Sequence, residues 1–215
     1  MRLWSSLLLI LLLAGCGEPT YNEPQKTLPK LGPLEVLRDT VDGEVTILDT
    51  LWYTIPPFEF VNQDSQVVNN ATFDNKVYVA DFFFTSCPSI CPKMKEQMLR
   101  IYERFGDNDT VMLLSHSIDP KHDTVEVLHA YAEKLGVSSD KWHLVTGDKA
   151  HIYEMAEKYF IAAEEDPSVP GGFAHSGGFL LVDMDGHIRG HYDGTKPQQV
   201  DNLMDDMQML LDGYR

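Results

Sequence analysis

Residues 77–92 read Val-Tyr-Val-Ala-Asp-Phe-Phe-Phe-Thr-Ser-Cys-Pro-Ser-Ile-Cys-Pro and combine two structural signals. The apolar and aromatic run 77–84 is typical of a strand in the centre of a sheet. Apolar residues at helical spacing predict a helix over 92–105, and a proline fits its first turn, where a missing N–H costs little. Cys87 and Cys91 therefore lie at a strand-to-helix junction.

The two cysteines are predicted to be chemically active. The positive end of the helix dipole favours a thiolate over a thiol at this junction. Four residues apart on one helical turn, the sulfurs of Cys87 and Cys91 can close a disulfide or bind one soft metal ion. The spacing is longer than the redox Cys-x-x-Cys, which favours metal binding without excluding redox chemistry. The alternative is a static disulfide that staples a turn.

The N-terminus has the features of an export signal. A charged tip and an apolar run that is too short to span a bilayer precede Leu13-Ala-Gly-Cys16. The last four residues resemble the bacterial lipobox, which implies cleavage before Cys16 and lipid attachment to it. The alternative is a plain secretory signal with an incidental cysteine.

Three segments follow from this interpretation. Residues 1–15 are the lipoprotein signal peptide, residues 16–45 are the lipidated tether and linker, and residues 46–215 are one domain. The tether is rich in proline and polar residues over 17–30 and shows no period, so we expect it to provide reach from the membrane.

Charge and cysteine content exclude several classes of protein. After Arg2 leaves with the signal, 16 of the 17 lysines and arginines remain, together with 33 acidic residues. A net charge near −17 argues against binding nucleic acid or an anionic lipid surface. Only Cys87 and Cys91 then remain for chemistry, whereas a disulfide-scaffold protein would use more cysteines.

Hydrophobic periodicity predicts an α/β, thioredoxin-like fold: a mixed central sheet with helices on both faces and an N-terminal hairpin extension. Gly136 is expected to stop one helix, Asp148 to cap the next, and Asp119 or Thr124 to cap the helix after Asp119-Pro120. The methionines are expected to pack in the core. The predicted elements are a hairpin of 58–61 and 66–68, strands 77–84, 110–118 and 142–145, helices 92–105, 124–135 and 148–160, a hairpin of 179–182 and 188–192, and a helix over 197–211.

A third metal ligand would come from the eight histidines. Residue chemistry alone does not choose among them. His175 differs from the others because it lies in the Pro- and Gly-rich loop 164–178, directly before a strand. In a thioredoxin-like fold this loop approaches the turn that carries the cysteines, and the alternative for His175 is an ordinary surface histidine.

Four blocks of the sequence resemble the Sco/SenC proteins, the copper chaperones of cytochrome c oxidase assembly, over roughly residues 50–212. The blocks are Thr85–Pro92, Ser117–Thr124, Trp142–Gly147 and His175-Ser176. The resemblance implies that Cys87, Cys91 and His175 bind one copper ion per chain, as Cu(I) or Cu(II). Ala174, Gly177 and Gly178 are smaller than expected, which predicts a looser loop.

The resemblance implies a metallochaperone for the dinuclear copper site of cytochrome c oxidase. Its partners would be the copper-site subunit of the oxidase, a thiol reductant, and a membrane through the lipid on Cys16, with no nucleic acid. It would reside in the cell envelope, lipid-anchored, with the domain on the exported side. The Cys87–Cys91 pair would bind copper when reduced and lose it when oxidised to the disulfide.

Two other functions use the same residues. One is an exported thiol-disulfide reductase that acts on cysteines of the oxidase subunit or another client, and the other is a redox or copper sensor. Redox enzymes of this fold carry a cis-proline before the strand that faces their cysteines, where this chain has Ala174-His175 and the nearest proline is Pro170. That difference favours metal binding.

Overall fold

The computed structural model describes residues 27–41 and 44–213. Within those ranges the strands are β1 (Leu34–Val41), β2 (Glu44–Trp52), β3 (Glu59–Asn62), β4 (Val67–Asn69), β5 (Val77–Phe83), β6 (Val111–Ser117), β7 (Trp142–Thr146), β8 (Ala163–Glu165), β9 (Phe173–His175), β10 (Gly178–Val182) and β11 (Ile188–Asp193). The α-helices are α1 (Cys91–Phe105), α2 (Val125–Leu135), α3 (Lys149–Lys158) and α4 (Pro197–Gly213), and a 3-10 helix covers Asn70–Phe73.

Seven strands form one mixed sheet in the order β11-β10-β5-β6-β7-β3-β4. Strands β5, β6 and β7 are parallel, whereas β10 and β3 run antiparallel to their neighbours. Every residue of β5, β6 and β7 is buried, as expected when helical crossovers cover both faces of a parallel sheet. This arrangement confirms the predicted mixed central sheet with helices on both faces.

The predicted hairpin of residues 58–68 is present as β3 and β4. It is not a separate extension, because β3 also pairs with β7 and the hairpin forms one edge of the main sheet. Phe58, Phe60 and Val68 are buried, so the hairpin contributes to the common core.

The helices begin and end close to the predicted positions. Thr124 caps α2 by accepting a hydrogen bond from Val127 N, and Asp148 caps α3 through His151 N at 2.9 Å. Gly136 ends α2 in the left-handed conformation, with φ of 72°. No helix of the described ranges is long and apolar enough to cross a membrane. The expected core methionines are buried on α1 and α4: Met94, Met98, Met204 and Met207.

The segment predicted as tether and linker contains ordered structure. Strands β1 and β2 form an antiparallel hairpin, and the predicted domain boundary at residue 45 divides it. Upstream, Leu28 is buried, Arg189 Nε donates to Pro29 O at 3.1 Å, and Leu31 N donates to Ile188 O at 2.7 Å. Residues 28–31 therefore dock on β11. Residues 1–26, which include Cys16 and the predicted signal peptide, lie outside the described residues.

The segment 164–178, predicted as an unpaired loop, also contains strand pairing. β9 runs antiparallel to β8, with His175 opposite Ala163. Ser176 N extends the contact by donating to Ala162 O at 3.0 Å. The prediction of a loop is wrong for Phe173–His175, because their backbone groups pair with those of Ala163–Glu165.

Candidate metal centre

Cys87 and Cys91 lie between the end of β5 and the start of α1. Cys87 N donates to Phe84 O at 3.2 Å, which closes a tight turn after the strand. Cys91 is the first residue of α1, and Pro92 is the second. Backbone N–H groups in the first turn have no partner within the helix, so proline can occupy this position without the loss of a helical hydrogen bond. Both residues are free thiols, 8% and 5% exposed. The turn and the first turn of the helix thus place both sulfurs on the buried side of the junction.

His175 approaches the cysteines from the end of β9. Its Nδ1 lies 3.3 Å from Ser176 O, and since a carbonyl oxygen only accepts hydrogen bonds, Nδ1 carries the proton. This leaves the lone pair on Nε2, which lies 3.3 Å from Cys91 Sγ. The edge of the His175 ring also packs against Phe84, with ring centroids 5.9 Å apart. The histidine is therefore oriented with its free nitrogen toward the thiols.

The small residues beside His175 reflect close packing rather than a loose loop. A Cβ on Gly177 would lie 2.9 Å from Cγ2 of Thr195. A Cβ on Gly178, the first residue of β10, would lie 2.4 Å from the His191 ring and 2.6 Å from Ile161. Side chains at these positions would push the strand away from its neighbours. The expectation of a looser segment is not met.

The three candidate ligands come together. One donor atom from each of Cys87, Cys91 and His175 lies within 4.8 Å of the other two. No fourth Cys, His, Asp or Glu joins this group among the described residues. Two thiolates and one imidazole suit three-coordinate Cu(I), and the same set with a water suits Cu(II), whereas structural zinc takes four protein ligands. The donor set therefore fits copper, and the ligand role of each residue stays a prediction.

The pKa values of the two thiols are shifted in opposite directions. Burial opposes ionisation of Cys87, but hydrogen bonds from Cys91 and Ser89 lower the pKa of Cys87 overall. At Cys91, burial raises the pKa and the hydrogen bond with Cys87 adds to the increase. The pKa of Cys87 is thus shifted in the predicted direction, toward the thiolate, whereas the pKa of Cys91 is shifted in the opposite direction. Burial lowers the pKa of His175, so the imidazole is neutral at pH 7.

These directions predict how copper affinity changes with pH. Cys91 must lose its proton to bind the metal, whereas His175 is already neutral, so Cu(I) affinity should rise at least about tenfold per pH unit between about pH 6 and 8. Competition titration at several pH values measures the slope. His175→Ala should give the same slope, because the imidazole releases no proton. A pH-independent affinity would contradict the buried, protonated Cys91.

A buried carboxylate fixes the start of the cysteine turn. Asp123 is completely buried in the segment between β6 and α2 and accepts hydrogen bonds from Thr85 N at 3.0 Å and from Thr85 Oγ1. Asp123 also accepts hydrogen bonds from Ser117 Oγ at 2.6 Å and from His122 Nδ1 at 2.8 Å. Asp123 therefore ties the loop before α2 to the residue two positions ahead of Cys87. The sequence interpretation missed it, although it adjoins the cap residue Thr124.

Asp123→Asn should destabilise the fold by about 3 kcal/mol, since the amide N–H₂ cannot accept the bonds that the second carboxylate oxygen accepts. Urea unfolding of the reduced, metal-free protein measures this. His122→Ala is the matched control: it removes an exposed partner of the same carboxylate and should cost less than about 1 kcal/mol. Equal losses in the two variants would mean that Asp123 does not hold the turn.

Asp81 is a second buried acid that the sequence interpretation passed over. It lies in β5, accepts a hydrogen bond from Ser115 Oγ, and lines a small cavity together with Cys91 and Trp142. Burial raises the pKa of Asp81 to about 7, and the bond from Ser115 opposes this increase. Its negative charge, when present, contributes to the raised pKa of Cys91. A lone carboxylate in the apolar run 77–84 is the signal that could have identified it.

The other histidines have partners outside this centre. His116 is fully buried and stacks on Phe82, and burial lowers its pKa to about 3. His143 Nδ1 contacts Asn62 in the interior. His122 contacts Asp123, His129 contacts Asp64, and His151 packs against Phe60. His187 contacts Tyr53, and His191 lies beside Gly178.

A cavity lies beside His175. It has a volume of about 230 Å³ and is lined by Ser89, Ile90, Val169, Pro170, Phe173, Ala174 and His175. Its mainly apolar lining suits transient contact with another protein. Of the three candidate ligands, His175 is the one that borders this cavity.

Comparison with known proteins agrees with the fold. The sequence model described as SCO1/SenC matches residues 52–212. The SCO1 protein homolog of Bacillus subtilis is 33% identical over 168 residues, which cover 77% of this chain and 87% of that protein. The structure of BsSco, a member of the Sco family of cytochrome c oxidase assembly proteins with a disulfide switch, has a TM-score of 0.65 and 32% identity, covering 74% of this chain and 93% of BsSco.

A copper-bound structure shares the same fold. ScoI of Arabidopsis thaliana with copper bound superposes with a TM-score of 0.62 at 23% identity, over 74% of this chain and 99% of that protein. Sco proteins are thus known with copper bound, and the Cys-Cys-His group that fits copper is present here. The fold is thioredoxin-like, as predicted. The family model covers most of the chain and includes all three candidate ligands, so this protein belongs to the SCO1/SenC family.

Proposed function

We propose that this protein is a copper chaperone for the dinuclear copper site of cytochrome c oxidase, with one copper ion bound by Cys87, Cys91 and His175. The observation that carries the proposal is the convergence of two thiols and one imidazole nitrogen within 4.8 Å, without a fourth protein donor in the described group. Such a site leaves one coordination position for an incoming ligand. Copper can then pass to a partner by stepwise ligand exchange.

The geometry also supports coupling between copper binding and the oxidation state of the Cys87–Cys91 pair. The pKa of Cys87 is lowered and that of Cys91 is raised, so Cys87 ionises more readily and is the better placed of the two to attack a disulfide. Oxidation of the pair to a disulfide removes two electrons and two protons and leaves only the imidazole for the metal. Reduction by an exported thiol protein would restore the site. The same pair is the basis of the second candidate function, a thiol-disulfide reductase of the oxidase subunit.

A transfer assay distinguishes the two functions. The Cu(I)-loaded protein is mixed with a soluble fragment of the oxidase subunit that carries the dinuclear copper site, and the fragment's copper absorption is recorded. The chaperone predicts copper in the fragment in proportion to the protein added. A reductase predicts the opposite: the copper-free reduced protein would reduce the fragment's disulfide, and the loaded protein would deliver no copper.

We infer that the chain is anchored to a membrane of the cell envelope by lipid on Cys16, with the domain on the exported side. The support is the sequence Leu13-Ala-Gly-Cys16 behind a short apolar run. Stable anchoring would need two or more acyl chains, because one chain gives only reversible binding.

Cys16→Ser tests this anchor. The wild-type chain should sediment with membranes, whereas the variant should be released or should stay unprocessed, because it lacks the sulfur that receives the lipid. Cell fractionation and mass spectrometry of the N-terminus provide the measurement. A wild-type chain that is found in the soluble fraction with an unmodified N-terminus would refute the anchor.

A further inference from the structure

The β1–β2 hairpin exposes an unusual amount of apolar surface. Among the described residues nine large apolar side chains are exposed, and seven of them belong to this hairpin. Among the described residues, no side chain of the hairpin belongs to the core or to the partly buried apolar side chains that pack against it. Exposed apolar clusters of this kind mark interaction sites. The seven side chains are Leu34, Leu37, Val45, Ile47, Leu48, Leu51 and Trp52.

The hairpin has two chemically different faces. Residues directly opposite each other in an antiparallel pair point to the same face, and a bulge between Leu37 and Arg38 places Arg38 opposite Ile47. The apolar face, as we call it, consists of Leu34, Val36, Arg38, Thr40, Val45, Ile47, Thr50 and Trp52. The acidic face contains Glu35, Asp39 and Asp49 together with Leu37 and Leu51. The apolar face carries no acidic residue, and its only charge is the cation Arg38.

The position of the hairpin in the chain brings it close to a bilayer. Residues 28–31 dock on β11, so only residues 16–27 separate the proposed lipid from the docked segment. Even a fully extended chain of that length reaches no more than about 40 Å. This step rests on the proposed lipid anchor. With that anchor, the hairpin is held within a few tens of ångströms of the membrane surface.

We propose that the apolar face of the β1–β2 hairpin lies on the surface of the bilayer that holds the lipid anchor. Tryptophan and arginine are side chains of the membrane interface, because each combines an apolar body with a polar or charged end at headgroup level. Trp52 and Arg38 supply these at the apolar face, while Ile47 and Val45 enter the acyl boundary. The acidic face then points to water. The net negative charge of the chain favours a zwitterionic surface over an anionic one.

This contact would give the anchored domain a second point of attachment. A lipid on a flexible tether leaves the orientation of the domain free, whereas a bound hairpin restricts it. The metal centre of the domain would thereby face a membrane-embedded client in a limited set of orientations.

Tryptophan fluorescence tests the contact in the complete, lipidated chain. The processed chain retains two tryptophans, Trp52 and the buried Trp142, because Trp4 leaves with the signal. The chain is added to phosphatidylcholine vesicles that contain brominated acyl chains, and flotation is recorded alongside quenching. We expect a blue shift and quenching that Trp52→Phe removes. Ile47→Asp should reduce the quenching roughly tenfold, while the matched acidic-face variant Leu51→Asp should retain it.

Each other outcome overturns the proposal in a distinguishable way. A chain that floats with the vesicles while Trp52 stays unquenched refutes the hairpin contact and leaves the anchor intact. A chain with unmodified Cys16 that neither floats nor is quenched refutes both. Equal loss of quenching in Ile47→Asp and Leu51→Asp refutes the assignment of faces. Concentration-dependent dimers that shield Trp52 without vesicles would mean that a second copy covers this face instead.

Discussion

His175→Ala is expected to lose Cu(II) while retaining substantial affinity for Cu(I). Two thiolates still hold Cu(I) in near-linear geometry, but Cu(II) loses its only strong nitrogen donor. Cu(II) affinity should fall by at least about 100-fold, since loss of an outer-shell partner alone costs ~10–100-fold. The variant should lack the thiolate-to-Cu(II) absorption of the intact site. It should still form the Cys87–Cys91 disulfide.

The cysteine variants provide the contrast. Cys87→Ser and Cys91→Ser each remove a thiolate, so each should weaken both oxidation states and abolish the disulfide. Absorption titration with Cu(II) and competition titration with Cu(I), carried out on all three variants, separate these patterns. If His175→Ala binds Cu(II) like the wild type, His175 is not the third ligand. His122, which contacts the Thr85 end of the same turn, would then be the next candidate.

One equivalent of copper is expected to raise the melting temperature of the reduced protein strongly. Copper should bind the folded chain far better than the unfolded chain, and ligand at ~1,000 times its dissociation constant stabilises by about 4 kcal/mol. For a domain of this size that corresponds to an increase of roughly 10 °C. Prior oxidation of Cys87 and Cys91 should abolish the increase, because the disulfide removes both sulfur ligands.

Thermal unfolding followed by circular dichroism measures this effect, with the oxidised protein plus copper as the internal control. Both forms must be compared at one protein concentration, since the stabilisation depends on free ligand. The reductase would be favoured over the chaperone if copper did not change the melting temperature of the reduced protein and the protein reduced disulfides readily.

The centre of the fold follows from local signals in the sequence. The run 77–84 is uninterrupted by polar residues except Asp81, and a strand buried on both faces requires this pattern. Thr124, Gly136 and Asp148 mark helix ends through side-chain or backbone properties that act within one turn. Such signals need no knowledge of the rest of the chain.

The elements that the sequence interpretation missed are short or lie next to proline-rich sequence. β8 and β9 have three residues each and are defined by their mutual pairing, which no local period reveals. The pairing is what places His175 at the cysteines. The β1–β2 hairpin did have a local signal, since Asp42-Gly43 is a typical hairpin dipeptide between alternating apolar residues. Its proline-rich upstream sequence led to a linker prediction instead.

The candidate ligands and their electrostatics were predictable to different degrees. The two cysteines stand out by their spacing. The position of His175 before a strand distinguished it from the other histidines, and the resemblance to the Sco/SenC proteins then implied that it is the third ligand. The role of Asp123 could not be predicted, because its hydrogen bonds with Thr85 join residues 38 positions apart. The raised pKa of Cys91 likewise depends on burial, which outweighs the helix terminus in this fold.

The metal content of the protein purified from the exported fraction tests the central claim most directly. We expect one copper ion per chain by elemental analysis, with two sulfur ligands and one imidazole nitrogen in X-ray absorption spectra. The Cys87→Ser, Cys91→Ser double variant, purified in parallel, should contain none. A wild-type protein that is isolated with its cysteines reduced and without copper, or with zinc in the site, would contradict the account.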